Sequence, residues 1–106
     1  MPPSVSLKIN SKLIELDKFT ASFISSTSLG LLSNLRGLEH PNEARKIGVV
    51  VYGQNVRVEA NGVEISMNVF IRDFVRNTVV AMAEPLRGVD ADIKNLELIL
   101  LTPLTD

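Results

Sequence analysis

Residues Val56-Arg57-Val58-Glu59-Ala60-Asn61-Gly62-Val63-Glu64-Ile65-Ser66-Met67-Asn68 decide the fold. Val56, Val58 and Ala60 alternate with Arg57 and Glu59, the period-two signature of a strand with one apolar face. Asn61-Gly62 is the favoured two-residue turn of a type I′ hairpin, because both residues tolerate the positive φ that this turn needs. Val63, Ile65 and Met67 then return on the same face. Asn68 stands where an N-cap is needed, its side-chain oxygen offered to the free amides that open a helix. The stretch reads as a hairpin running into a helix.

Downstream, the helix is expected to run to about Arg87, with Gly88 as the left-handed residue that ends it and Val89 placed for the apolar contact of a Schellman ending. Arg87 complements the negative end of the helix dipole. Pro85 removes one backbone donor from the last turn and predicts a kink or an early end. Residues 96–101 are apolar at consecutive positions, the pattern of a strand covered on both faces.

Upstream, the same unit occurs again. Displacing the chain by 51 positions aligns residues 10–37 with 61–88 without a gap. The identities are Asn10/Asn61, Ile14/Ile65, Phe19/Phe70, Phe23/Phe74, Thr27/Thr78, Leu35/Leu86, Arg36/Arg87 and Gly37/Gly88. Composition alone would give roughly two. They fall on the turn, the hairpin return, the helix and its ending, as a repeated structural unit requires. Asp17 takes the N-cap place of Asn68, and residues 47–52 supply a strand comparable to 96–101. Gly53-Gln54-Asn55 joins the two units as an antiparallel turn. The expectation is an α+β fold of one domain over residues 1–106. It is a tandem duplication of a ββαβ unit, repeat one about 4–52 and repeat two about 55–102. A mainly antiparallel six-stranded sheet carries two helices in pseudo-two-fold symmetry. Several strand orders satisfy this, including one in which the repeats exchange strands.

At 100° per residue, Phe19, Phe23, Thr27, Gly30, Leu31 and Leu35 share one face of the first helix, matched by Phe70, Phe74, Thr78, Ala81, Met82 and Leu86 on the second. These faces are expected to cover the sheet. The outward faces differ. The second helix carries Arg72, Asp73, Arg76 and Glu84, whereas the first has no charge between Lys18 and Arg36. Ala21, Ser25, Ser28, Leu29 and Leu32 then form a seam of small and apolar residues that predicts close packing against a second copy, as a two-fold homodimer.

Composition narrows function. With 106 residues, 45% hydrophobic and 22% charged, the chain can bury a core by itself. A formal charge of -1 and interspersed signs give no footprint for nucleic acid or an anionic membrane. Zero cysteines exclude disulfides, thiolate metal sites and cysteine nucleophiles, and fit a cytoplasmic home. Neither a signal peptide nor an apolar run long enough to span a bilayer is present, so no membrane is expected. A mean hydropathy of +0.20 with few aromatic residues favours apolar surface shared with another subunit.

Chemistry-bearing residues are sparse. His40 is the single histidine, and with Glu39 and Glu43 it makes a weak metal candidate, a lone loop histidine being ordinarily solvated. The six glycines are isolated and none builds a phosphate cradle. Arg72 and Arg76, one turn apart, are the polar surface on which nucleic-acid binding would rest, but stacking residues are lacking. No cofactor and no catalytic residue is expected. The first reading is a non-catalytic interaction or binding module acting as a homo-oligomer. A small-molecule or metal-dependent enzyme or ligand-binding protein is the alternative, and nucleic-acid binding through the two arginines comes third.

The pattern Asn61-Gly62-Val63-Glu64-Ile65, then Asn68-Val69-Phe70-Ile71 and the helix through Leu86-Arg87-Gly88, resembles short uncharacterised prokaryotic proteins that carry this unit once. The resemblance covers both halves and implies no activity. It implies that the single-unit proteins pair as homodimers and that this chain is such a dimer fused. Copy one departs from the pattern in Ser11 for Gly62 and in its uncharged helix face.

Overall fold

The long strands alternate between buried and accessible residues, and that alternation makes the sheet one-sided. The computed structural model describes residues 4–38, 45–89 and 92–101. Its elements are β1 (Ser4–Ile9), β2 (Lys12–Leu13), α1 (Lys18–Leu32), β3 (Lys46–Tyr52), β4 (Asn55–Ala60), β5 (Val63–Glu64), α2 (Val69–Ala83) and β6 (Asn95–Leu101). The fold is α+β, with six strands in the order β2-β1-β6-β3-β4-β5 and every neighbouring pair antiparallel. From either edge the sheet reads hairpin, long strand, long strand, hairpin. The last strand of the chain lies between the first and the third.

In β3, Ile47, Val49 and Val51 are buried while Gly48 and Val50 are half-buried; in β6, Leu96, Leu98 and Leu100 are buried while Glu97 and Ile99 are not. The expectation that these strands are covered on both faces is therefore corrected. Consecutive apolar residues do not imply two covers when the second face is central and shielded by its own neighbours. Ile24 and Leu32 of α1 and Val75, Val79 and Ala83 of α2 join the same buried cluster as the inward strand residues. Both helices thus cover one face and leave Ser6, Lys8, Val50, Arg57, Glu97 and Ile99 on the other.

The hairpin turns form for the stated reason. Asn10 and Ser11 take φ of 51° and 69°, and Asn61 and Gly62 take 52° and 83°, the two positive values of a type I′ turn. Both asparagines also tie hairpin tips to distant strands. Asn10 Oδ1 accepts the amides of Lys94 (2.8 Å) and Asn95 (3.0 Å), and its Nδ2 donates to the Asp92 carbonyl. Asn61 Oδ1 accepts the amides of Arg45 (3.0 Å) and Lys46 (3.1 Å). Each bond pair joins the tip of one hairpin to the start of the long strand beside it.

Both helices begin at their expected caps. Asp17 Oδ1 accepts the Thr20 amide at 2.7 Å and Asn68 Oδ1 accepts the Ile71 amide at 2.8 Å. They end earlier than expected, at Leu32 and Ala83. Ser33 and Asn34 side chains donate to the Gly30 carbonyl and compete with the last turn, and a further turn follows before Gly37 (φ 97°) and Gly88 (φ 88°). Because α1 stops at the corresponding place without a proline, Pro85 is not what ends α2.

The Thr20 amide holds the Asp17 carboxyl below its ordinary value. A depressed folded value means that the cap stabilises above the unfolded carboxyl value, near 3.9, and that this is lost as pH falls through the lower folded value. Urea midpoints of the wild type and Asp17→Asn are expected to keep a constant separation between pH 7 and 5 and to converge below about pH 4.

Candidate functional site

The outer side of the helix layer is built from residues expected in the core. Phe19, Phe23, Phe70 and Phe74 are 79, 59, 73 and 55% exposed, and these are all the phenylalanines the chain has. Within each helix they stand one turn apart, with ring centroids 6.4 Å apart in α1 and 6.5 Å in α2. Val69 is exposed beside the second pair.

The seam placed outside by the helical wheel lies inside. Ser25, Ser28 and Leu32 are buried, Leu29 packs half-buried against the core, and Ala21 is half-buried. The three buried members are therefore closed to a second copy. Ranking phenylalanine above serine as a core residue inverted the wheel, whereas the phase of α1 follows Ile24, Ser28, Leu32 and, beyond the helix, Leu35. The corresponding Val75, Val79 and Ala83 line α2, with half-buried Leu86 beyond its end. One signal could have found this: Asp73, Asn77 and Glu84 mark the wet side of α2, and at 100° per residue Phe70, Phe74 and Asn77 lie within about 60° of one another.

The inversion leaves Ser25 Oγ and Ser28 Oγ buried without a hydrogen-bond partner. An unpaired buried hydroxyl costs free energy that an alanine would not. Ser28→Ala, at the position corresponding to Val79, is expected to raise stability by about 1 kcal/mol, read from the urea midpoint.

The helices run antiparallel. A cleft of about 600 Å³ joins Asn34, Leu35 and Arg36, after α1, to Ser66, Met67, Asn68 and Ile71 at the start of α2. Another of about 620 Å³ joins Glu15, Leu16, Asp17 and Thr20 to Pro85, Leu86 and Arg87. Each Phe pair, near the N-terminus of its helix, thus lies beside the C-terminal half of the other helix. Small residues stand outward there: Gly30 on α1 and Ala81 on α2, both exposed, the latter between Asn77 and Glu84. A Cβ added to Gly30 would meet nothing within 4 Å.

The charged candidates are engaged within the fold. Arg76 Nε donates to the Gly53 carbonyl at 2.8 Å and its Nη1 to Asn77 Oδ1 at 2.9 Å, so it braces the turn between β3 and β4 instead of standing free. Arg72 Nη2 donates to the Met67 carbonyl at 3.2 Å. A third hollow, of about 300 Å³, brings Arg57 and Arg72 near Tyr52 and Glu64. Arg57 pairs there with Glu59 and Glu64 at 3.6 and 3.9 Å, which offsets its charge. Glu39, His40 and Glu43 lie outside the described residues. Among the described residues, no group of three or more His, Cys, Asp or Glu side chains is placed to hold a metal, and no helix is long and apolar enough to cross a membrane.

Comparison with protein families, curated proteins and solved structures yields no match.

Proposed function

We propose that the chain is a non-catalytic interaction module, made of two fused copies of one ββαβ unit and working as a homodimer in the cytoplasm. The observation that carries this reading is the exposure of all four phenylalanines on one layer of the molecule. Aromatic residues concentrate at the buried centres of protein interfaces, and a monomer gains nothing from leaving its largest apolar side chains in water.

Fusion of two copies is supported by matched local chemistry. Asn10 and Asn61 accept two backbone amides each at corresponding strand starts, Asp17 and Asn68 cap corresponding helices, and the strand order is the same read from either edge.

The test is sedimentation equilibrium at micromolar concentration. A mass of twice 11.6 kDa is expected. A mass of 11.6 kDa that persists as concentration rises contradicts the reading.

A further inference from the structure

We infer that the second copy docks helix layer to helix layer, its phenylalanine pairs seating beside Gly30 and Ala81 of the partner. The inference rests on the homodimer reading and assigns the face that reading leaves open.

Three surfaces compete for the contact: the outer helix layer, the uncovered sheet face and the sheet edges. The uncovered sheet face carries Lys8, Lys46, Arg57, Glu59 and Glu97; its exposed apolar residues Leu13, Tyr52 and Leu101 stand apart at strand ends, and Val50 and Ile99 are half-buried. Burying that face would desolvate five charges to cover three separated apolar side chains. The edge strands β2 and β5 are two residues each and present Lys12 and Glu64, a poor template for strand addition.

The helix layer differs in area, charge and shape. At 150–250 Å² per phenylalanine side chain, the four exposed fractions leave on the order of 500 Å² of aromatic surface in water. That is most of the roughly 800 Å² per partner of a standard interface, and Val69, Ser22, Ser26 and Thr27 on the same helices extend it. The outer side of α1 has no charge between Lys18 and Arg36, while the outer side of α2 carries Asp73 with Glu84 just beyond the helix; a contact that lays each α2 over the partner's α1 sets these carboxylates against an uncharged surface and not against each other.

Shape supplies self-complementarity. The antiparallel helices put a protruding Phe pair at each end of the layer, each beside the low stretch around Ala81 or Gly30. Turning a second copy by 180° brings protrusions over low stretches at both ends together. An isologous contact must use one patch twice in this way, and small residues opposite large ones permit close helix approach.

Sedimentation equilibrium of four proteins tests the assignment: wild type, Phe23→Ser/Phe74→Ser, Gly30→Arg and Ile99→Lys, each checked for folding by thermal unfolding. Two aromatic truncations at an interface centre are expected to weaken self-association at least 100-fold. Gly30→Arg is expected to be monomeric and as stable as the wild type, because its added side chain has open space in the single chain. Ile99→Lys is expected to remain dimeric. If the wild type is dimeric and the helix-layer variants stay dimeric, or Ile99→Lys alone dissociates, the assignment is overturned while the homodimer reading stands. A wild type that is monomeric throughout overturns both.

Discussion

Leu98→Ala is expected to cost about 2–5 kcal/mol, the range for truncating a leucine in a core that cannot collapse around the gap. Leu98 is fully buried at the middle of β6, opposite Leu7 of β1 on one side and Val49 of β3 on the other. It therefore touches a strand from each end of the sheet's centre, and neither half of the chain has a complete sheet without it. A domain of this size has roughly 5–15 kcal/mol in total, so this loss is a large share. Urea denaturation followed by circular dichroism is expected to show one cooperative transition with its midpoint sharply lowered. Leu101→Ala, at the exposed end of the same strand, is expected to change the midpoint far less.

Asn61→Ala is expected to cost roughly 2–5 kcal/mol. Two causes combine: an alanine at φ 52° carries about 1–2 kcal/mol of left-handed strain, and the amides of Arg45 and Lys46 lose an acceptor at about 0.5–1.5 kcal/mol each. Asn61→Gly separates them, since it relieves the strain and still removes both hydrogen bonds. It is expected to recover the first part only. Asn10→Ala is expected to behave alike, with the amides of Lys94 and Asn95 in place of those of Arg45 and Lys46. Urea midpoints of the three variants check this.

These asparagines also mark what the sequence made legible. The hairpin turns, both helix caps and the count of six strands follow from local chemistry: positive φ at Asn10 and Asn61, acceptors at Asp17 and Asn68, alternation around them. Strand order was not legible, because pairing β6 between β1 and β3 depends on contacts far apart in the chain, and local patterning is silent on them. The phase of both helices differs from the expected one for another reason, clearest in α1. In a helix where Phe19 and Phe23 face one side and Ser25 and Ser28 the other, residue type alone predicts an inward aromatic face. The better guide was Ile24, Leu32 and Leu35, whose spacing agrees with Val75 and Ala83 of α2 and Leu86 just beyond it. An exposed aromatic face is intelligible once a partner surface supplies the missing burial, which is why the misread residues are the ones on which the interface is proposed.

The pairing of β3 with β6 underlies every other feature of the account, since it interleaves the two halves. An engineered disulfide measures it. The Gly53 amide bonds to the Lys94 carbonyl, so 53 and 94 form a hydrogen-bonded pair, and Val50 and Glu97, three steps along, form a non-hydrogen-bonded one. Such pairs have Cα atoms about 4.5 Å apart, within disulfide reach. The chain has no cysteine of its own to interfere. Val50→Cys/Glu97→Cys is expected to oxidise nearly completely to an intramolecular disulfide, seen as a loss of two mass units and of both free thiols, with the fold retained. Thiols that stay free under oxidant in the folded protein would contradict the interleaved sheet.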